Sequence, residues 1–278
     1  MSATPETSAA PDLRPSRTPR HPVLRAVAVA VVALLVLAVS GFLIYANTTY
    51  AAEAEPVQTV ADNPAIDVAY TYDHVVMTPV VPAPGAPSAS DLMGTDFVGT
   101  PPQGTGLVFL AGAKVDPLAY AYKLSGLVEA GVTVVIVRPV LNFAIVEFRP
   151  LSDFTALAPD VTRWFVGGHS LGGVKACQYA TDADAAGLVL VGSYCAGDES
   201  DLGKPVVSIS ASNDGLSTPA KIEASKPDLP DDTLFVEIPG ANHAQFGDYG
   251  VQPGDGPSTT TDATVRAAIT EAIVPILS

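Results

Sequence analysis

The chain has 278 residues, 48% of them hydrophobic and 15% charged, too long and too apolar for a disordered tail or a small disulfide scaffold, so it has to hold a sizeable core. Fourteen Lys and Arg against 29 Asp and Glu give a net charge of −15, which excludes a polynucleotide partner, because that binding runs on phosphate neutralisation. Two cysteines, with no CxxC and no clustered Cys/His spacing, exclude a structural zinc framework and a disulfide-dense fold, and no metal or organic cofactor is implied.

Residues 26–45 carry no charge and are mostly Ala, Val and Leu, long enough as a helix to cross about 30 Å of hydrocarbon. Arg14, Arg17, Arg20 and Arg25 precede them, and no further Lys or Arg occurs before Lys114. This asymmetry predicts a cytoplasmic leader over residues 1–25, a transmembrane helix acting as signal anchor over 26–45, and everything beyond it outside the cytoplasm. Ala52, Glu53 and Ala54 also read as a cleavage site, which makes secretion after signal-peptide removal the alternative. Either route exports a strongly acidic chain: residues 46–278 keep 10 basic and 27 acidic side chains, a net charge of −17.

Residues 46–65, with Glu53, Glu55, Pro56, Asp62 and Pro64, are expected to form a stalk without chemistry of its own. Residues 66–278 are expected to form one domain. The alternation of Ile66, Val68, Tyr70 and Tyr72 predicts a first strand and residues 74–81 a second, followed by a loop at Pro82, Pro84, Gly85 and Pro87. No internal repeat is found. Beyond Gly104 short apolar runs at 107–110, 132–137, 164–166, 188–191, 206–209 and 234–238 are separated by longer segments. Residues 116–130, 171–181 and 262–277 fit helices, with Ala119, Leu124, Leu127 and Val128 spaced for one buried face. The pattern predicts a three-layer α/β fold with a mostly parallel sheet flanked by helices.

The stretch Trp164-Phe165-Val166-Gly167-Gly168-His169-Ser170-Leu171-Gly172-Gly173 runs from an apolar strand through Gly-x-Ser-x-Gly into a helical pattern. A nucleophile at the apex of so tight a turn has crowded neighbours, so the positions two before and two after it have to be small, as Gly168 and Gly172 are. The turn lifts the Ser170 hydroxyl clear of the sheet, and the helix beginning at Leu171 offers unpaired amides to a developing oxyanion. Phosphate-binding readings fail. After Gly167 the Walker spacing requires Lys where Gly173 stands, and no GxGxxG follows a strand.

A serine nucleophile needs a base, and the chain has four histidines. His21 lies on the cytoplasmic side, His74 in an early strand, and His169 next to Ser170, where its side chain should turn away from the hydroxyl. His243 remains, in a loop after the run 234–238, at the strand end where open parallel sheets place their sites. Asp214 follows the strand that begins near Pro205 and is the expected orienting acid. Asp198, Glu199 and Asp201 follow the preceding strand and are its alternatives. The order Ser170, Asp214, His243 is nucleophile, acid, base.

These residues resemble the α/β-hydrolase superfamily, in particular compact single-domain bacterial members described as dienelactone-hydrolase-like. Residues 107–117, 167–173 and 240–250 carry the resemblance, which covers about residues 105 to 278. It implies a second oxyanion amide after the first parallel strand, from Ala113 or from Gly112, beside that of Leu171, and it puts Asp214 in the position of the acid. Dienelactone hydrolases proper are similar but use cysteine, so their lactone substrate is not carried over to Ser170.

Residues 192–204 are too few for a large lid, which points to a shallow site and to small or extended esters. Arg138 and Asn142 follow the strand at 132–137 on the same side and read as pocket or simple loop residues. Cys177, one turn into the helix after Ser170, and Cys195, in the loop after the next strand, could be neighbours that an exported chain joins, with buried unpaired cysteines as the alternative. The expected activity is cleavage of carboxylic esters through an acyl-enzyme on a small-molecule ester or related acyl substrate. An amidase, peptidase or acyltransferase would use the same triad, and a silent fold acting as an envelope binding module is the non-enzymatic alternative.

Overall fold

A computed structural model describes residues 22–80 and 104–277. The arginines at 14, 17 and 20, His21 and the loop expected at Pro82 to Pro87 lie outside the described residues. The chain divides into two units, Met1–Ile44 and Tyr45–Ser278. In the first, α1 (Pro22–Asn47) begins the described chain, and its residues up to Ile44 are all exposed, as expected of an uncharged segment long enough to cross a membrane.

In the second unit the β-branched runs at the centre of the sheet become strands that are covered on both faces. The strands are β1 (Ile66–Tyr70), β2 (His74–Pro79), β3 (Thr105–Leu110), β4 (Thr133–Val137), β5 (Arg163–His169), β6 (Ala185–Val191), β7 (Val206–Ala211) and β8 (Leu234–Ile238). They form one sheet in the order β1-β2-β4-β3-β5-β6-β7-β8, in which β3 to β8 are parallel and the β1-β2 hairpin joins β4 antiparallel. Within β3, Leu107 and Phe109 pack with α3 (Ala121–Glu129) and α7 (Asp262–Ile273), whereas Val108 and Leu110 pack with α5 (Leu171–Ala180). Ala119, Leu124, Leu127 and Val128 are buried, so the face read from their spacing is the one that covers the sheet. Each fully buried Leu or Val of this kind contributes about 1.5–3 kcal/mol. At the sheet margin the pattern gives way: Ile66 is buried, but Tyr70 and Tyr72 are exposed.

Residues 46–65 differ from the expected stalk. Ala46 is fully buried, α2 (Ala54–Ala61) packs Val60 into the core, and Tyr50 forms a parallel bridge with Val115. The Glu53 amide donates to Asp248 O at 2.8 Å. This stretch belongs to the same compact unit as the sheet. Two short helices, α4 (Leu151–Thr155) and α6 (Pro219–Ser225), complete the set, and residues 192–204 carry no helix.

Candidate active site

Six parallel strands put the loops after β3, β5, β7 and β8 at one edge, the edge at which such sheets collect functional groups. β5 ends at His169, and the chain turns at Ser170 into α5. Ser170 has φ 53° and ψ −124°, a conformation that costs a side-chain-bearing residue about 1–3 kcal/mol and has to be held by its surroundings. Its amide donates to Val191 O at 3.1 Å, and its carbonyl accepts from the buried Ser193 hydroxyl at 2.7 Å. A Cβ at Gly168 would strike the backbone of Gly172 and Gly173, and one at Gly172 would strike the carbonyl oxygens of Leu110 and Ala111. The smallness read from the motif is therefore imposed partly by the turn and partly by the end of β3.

The loop after β3 presents two amides in different states. Gly112 N donates to the Tyr120 hydroxyl at 2.9 Å. Ala113 N has no hydrogen-bond partner among the described residues, and neither has Leu171 N at the start of α5. Beyond them Lys114, at φ 61°, donates its amide to Asn142 O at 2.8 Å. Of the two residues after β3 that the resemblance offered, Gly112 is engaged and Ala113 is open.

Asp214 and His243, brought from the ends of β7 and β8, meet: His243 Nδ1 lies 2.7 Å from Asp214 Oδ2. Asp214 Oδ1 accepts the amides of Leu216 and Ser217, each at 2.7 Å, which fixes the carboxylate from behind. Both side chains are buried. Asp198 instead accepts the Ser200 amide at 3.0 Å in an exposed loop, so of the alternative acids it is Asp214 that reaches the imidazole. His243 Nε2 has no hydrogen-bond partner among the described residues.

His169 is not turned out to solvent. It is buried, with its ring centroid 4.4 Å from that of His243 and its Nδ1 3.0 Å from Tyr120 Oη. Tyr120 Oη, which accepts from Gly112 N, and His169 Nδ1 share this second hydrogen bond. Burial, reinforced by the adjacent His243, holds the His169 imidazole well below the usual histidine range, and burial raises the Tyr120 hydroxyl far above its own. His74 lies apart on the hairpin, 3.3 Å from Thr71 Oγ1. Arg138 and Asn142 are fully used as braces: Arg138 donates to Tyr72 O, to Asn142 Oδ1 and to Asp116 Oδ2 at 2.6, 2.9 and 2.8 Å.

One residue escaped the sequence reading altogether. Asp255 Oδ1 accepts the amides of Gly215, His243 and Gly256 at 3.0, 3.1 and 2.8 Å, and its Oδ2 accepts that of Ala244 at 2.8 Å. It ties the loop of Asp214 to the loop of His243. A Gly-Asp-Gly turn at 254–256 is the only signal for it, and that signal does not name the partners. Cys177 and Cys195 form a disulfide with Cα atoms 5.7 Å apart, joining α5 to the loop two residues beyond Ser193.

The model of the alpha/beta hydrolase family matches residues 106–267. Among solved structures the chain is similar to Est1E from Butyrivibrio proteoclasticus, 12% identical over 77% of this chain and 99% of that one, with a TM-score of 0.49. It is similar to a thermophilic esterase from Thermogutta terrifontis at 15% identity over 51% and 84% of the two chains, TM-score 0.43. An α/β hydrolase from a sediment metagenome of the Mar Chica lagoon, Morocco, is 20% identical over 51% and 84%, TM-score 0.41. No curated protein matches the chain.

Proposed function

Because this chain belongs to the α/β hydrolase family, we propose that it is a serine hydrolase of carboxylic esters, anchored in a membrane by residues 26–45 with its N-terminus cytoplasmic and its catalytic domain outside. Ser170 Oγ attacks the ester carbonyl while His243 Nε2 takes the hydroxyl proton. Asp214 holds the Nδ1–H tautomer and stabilises the imidazolium. The open amides of Ala113 and Leu171 donate to the oxyanion. Collapse expels the alcohol, protonated by His243. Water then attacks the acyl-enzyme with His243 as base, releasing the carboxylic acid and restoring Ser170.

The observation that carries this reading is the Asp214–His243 pair at 2.7 Å, with Asp214 pinned by two amides and Nε2 left without a partner. The strained turn at Ser170 supports it, since such strain persists where the surroundings insist on it. Retention of the anchor is supported by the packing of residues 46–50, because cleavage after Ala54 would remove the Tyr50–Val115 bridge and the buried Ala46.

The test is labelling of the full chain with a fluorophosphonate, together with turnover of a series of p-nitrophenyl esters and the matching p-nitroanilides. Wild type should label and cleave the esters, and Ser170→Ala, shown folded by circular dichroism, should do neither. A folded wild type that neither labels nor turns over sinks the hydrolase reading, and preference for the anilides moves the chain to the amidases.

A further inference from the structure

The chain enters its folded unit at the same edge of the sheet that carries the candidate site. Tyr50 N donates to Lys114 O at 2.7 Å, and Asp116 N donates back to Tyr50 O at 3.0 Å. Asn142 Nδ2 donates to Ala46 O at 2.9 Å. Tyr45, the first residue of the unit, stacks on Phe143 at a centroid distance of 6.3 Å and has Lys114 Nζ 3.7 Å from its ring centroid. The loops after β3 and β4 thus hold the chain from Tyr45 to Tyr50, directly at the end of the uncharged segment 26–45.

Around this point the surface is apolar. Within the connection after β4, Ile145 and Phe148 are 76% and 78% exposed, and Leu141 and Val146 are 38% and 45% exposed. Exposed apolar groups clustered in one short segment mark a surface that meets something other than water. Tyr45 and Tyr72 stand beside it, the Tyr72 hydroxyl 3.4 Å from Asn47 Oδ1, in the manner of tyrosines that settle at headgroup level. The charges here cancel. Lys114, Arg138 and Arg149 face Asp73, Asp116 and Glu147, with Arg138–Asp116 at 2.8 Å and Arg149–Glu147 at 2.6 Å. In an exported chain with a net charge of −17, the connection that carries these apolar groups holds Arg138, Glu147 and Arg149 and so has no acidic excess of its own to be repelled by an anionic leaflet. The same segment supports the nucleophile, since Ala144–Val146 packs against α5.

We infer that this edge rests on the bilayer crossed by residues 26–45, with Leu141, Ile145, Val146 and Phe148 seated among the headgroups and upper acyl chains, and that Ser170 takes its substrate from that leaflet. The substrate class is an amphiphilic ester whose acyl chain is dissolved in the membrane. The inference rests on the anchored-esterase reading above and adds the orientation of the domain and the source of the substrate.

Trp164 is the chain's only tryptophan and is buried, so Phe148→Trp places one reporter on the surface. Asp160→Trp, in the exposed loop before β5 at the opposite edge, is the control. The full chain is reconstituted in phosphatidylcholine/phosphatidylglycerol vesicles with and without bromine on the upper acyl chain, and flotation is scored first. Bromine should quench the Phe148→Trp indole at least twofold and leave the Asp160→Trp variant and wild type unchanged. A chain that floats with both indoles equally unquenched overturns the orientation while the anchor stands. One that does not float loses the anchor and the inference together. A blue shift at Phe148→Trp without bromine quenching means that protein covers the face, which also overturns it. For the substrate, Phe148→Glu, outside the turn that packs on α5, should slow hydrolysis of a long-chain ester presented in vesicles at least tenfold and leave soluble p-nitrophenyl butyrate unchanged. Equal rates on both esters, or equal losses, overturn the leaflet source, and a wild type inactive on p-nitrophenyl butyrate refutes the esterase reading instead.

Discussion

Asp255 accepts the backbone amide of His243 at 3.1 Å through the same oxygen that accepts the Gly215 amide at 3.0 Å. The carboxylate is thus a clamp between the residue after Asp214 and His243, and it sets their separation without touching either proposed catalytic side chain. Placement errors of about 1 Å in such sites cost as much as 100-fold in rate. Asp255→Ala is therefore expected to lower kcat for ester hydrolysis by about tenfold or more while KM stays within about twofold, with Asp255→Asn recovering part of the loss because its carbonyl still accepts. Steady-state kinetics with a pH profile for each variant checks this. A variant whose Tm falls but whose kcat and profile match wild type would make Asp255 merely structural.

The disulfide closes 18 residues between α5 and the loop after β6, a loop length that stabilises a fold by about 3 kcal/mol in the chain-entropy account. It also restrains the segment from which Ser193 reaches the Ser170 carbonyl. Cys177→Ala with Cys195→Ala is expected to lower the unfolding free energy by about 2–4 kcal/mol, measured as a shift of the urea midpoint at constant m-value. Wild type treated with dithiothreitol should move to the same midpoint. Identical midpoints with and without the cysteines would show that the cross-link carries no stability.

Gly172 offers a harsher case. An added methyl group meets the Leu110 and Ala111 carbonyl oxygens at the end of β3, backbone atoms that cannot step aside without moving the strand. Gly172→Ala should cost about 3 kcal/mol or more, whereas Gly197→Ala, in open loop surroundings, should be near neutral. Paired urea titrations decide it, and equal midpoints for the two variants would mean that the turn is softer than described.

Much of this arrangement was legible in the residues because it depends on side-chain type. Valine- and isoleucine-rich runs must be buried on both faces, the turn at Ser170 demands small neighbours, and with four histidines elimination reached His243. What stayed hidden depends on the backbone. Residues 46–65 read as a stalk because their attachment runs through main-chain bonds at Tyr50 and Glu53 and through the small Ala46. Asp255 was invisible for the same reason, since all four of its donors are amides. The alternation from Ile66 to Tyr72 marks β1 correctly, but it carries no information on burial, because at the margin of the sheet Tyr70 and Tyr72 stay exposed.

The burial of His169 against His243 makes stability depend on pH. Burial first, and then His243, keep the folded His169 imidazole neutral far below its ordinary range, while in the unfolded chain it takes up a proton below about pH 6.5. Below that pH the unfolded state binds more protons than the folded one, so this group's contribution is complete above about 6.5 and falls as pH drops, by up to about 1.4 kcal/mol per unit. Asp248 works in the opposite direction. Burial pushes its carboxyl up to about 6 against the pull of Lys123, so its contribution is present at low pH and is lost as pH rises through that value. A comparison of wild type with His169→Phe isolates the histidine: the Tm of wild type should fall more steeply between pH 7 and pH 5 than that of the variant. Parallel Tm curves would mean that the folded His169 imidazole takes up its proton over the same pH range as in the unfolded chain, and would refute its being held neutral by burial.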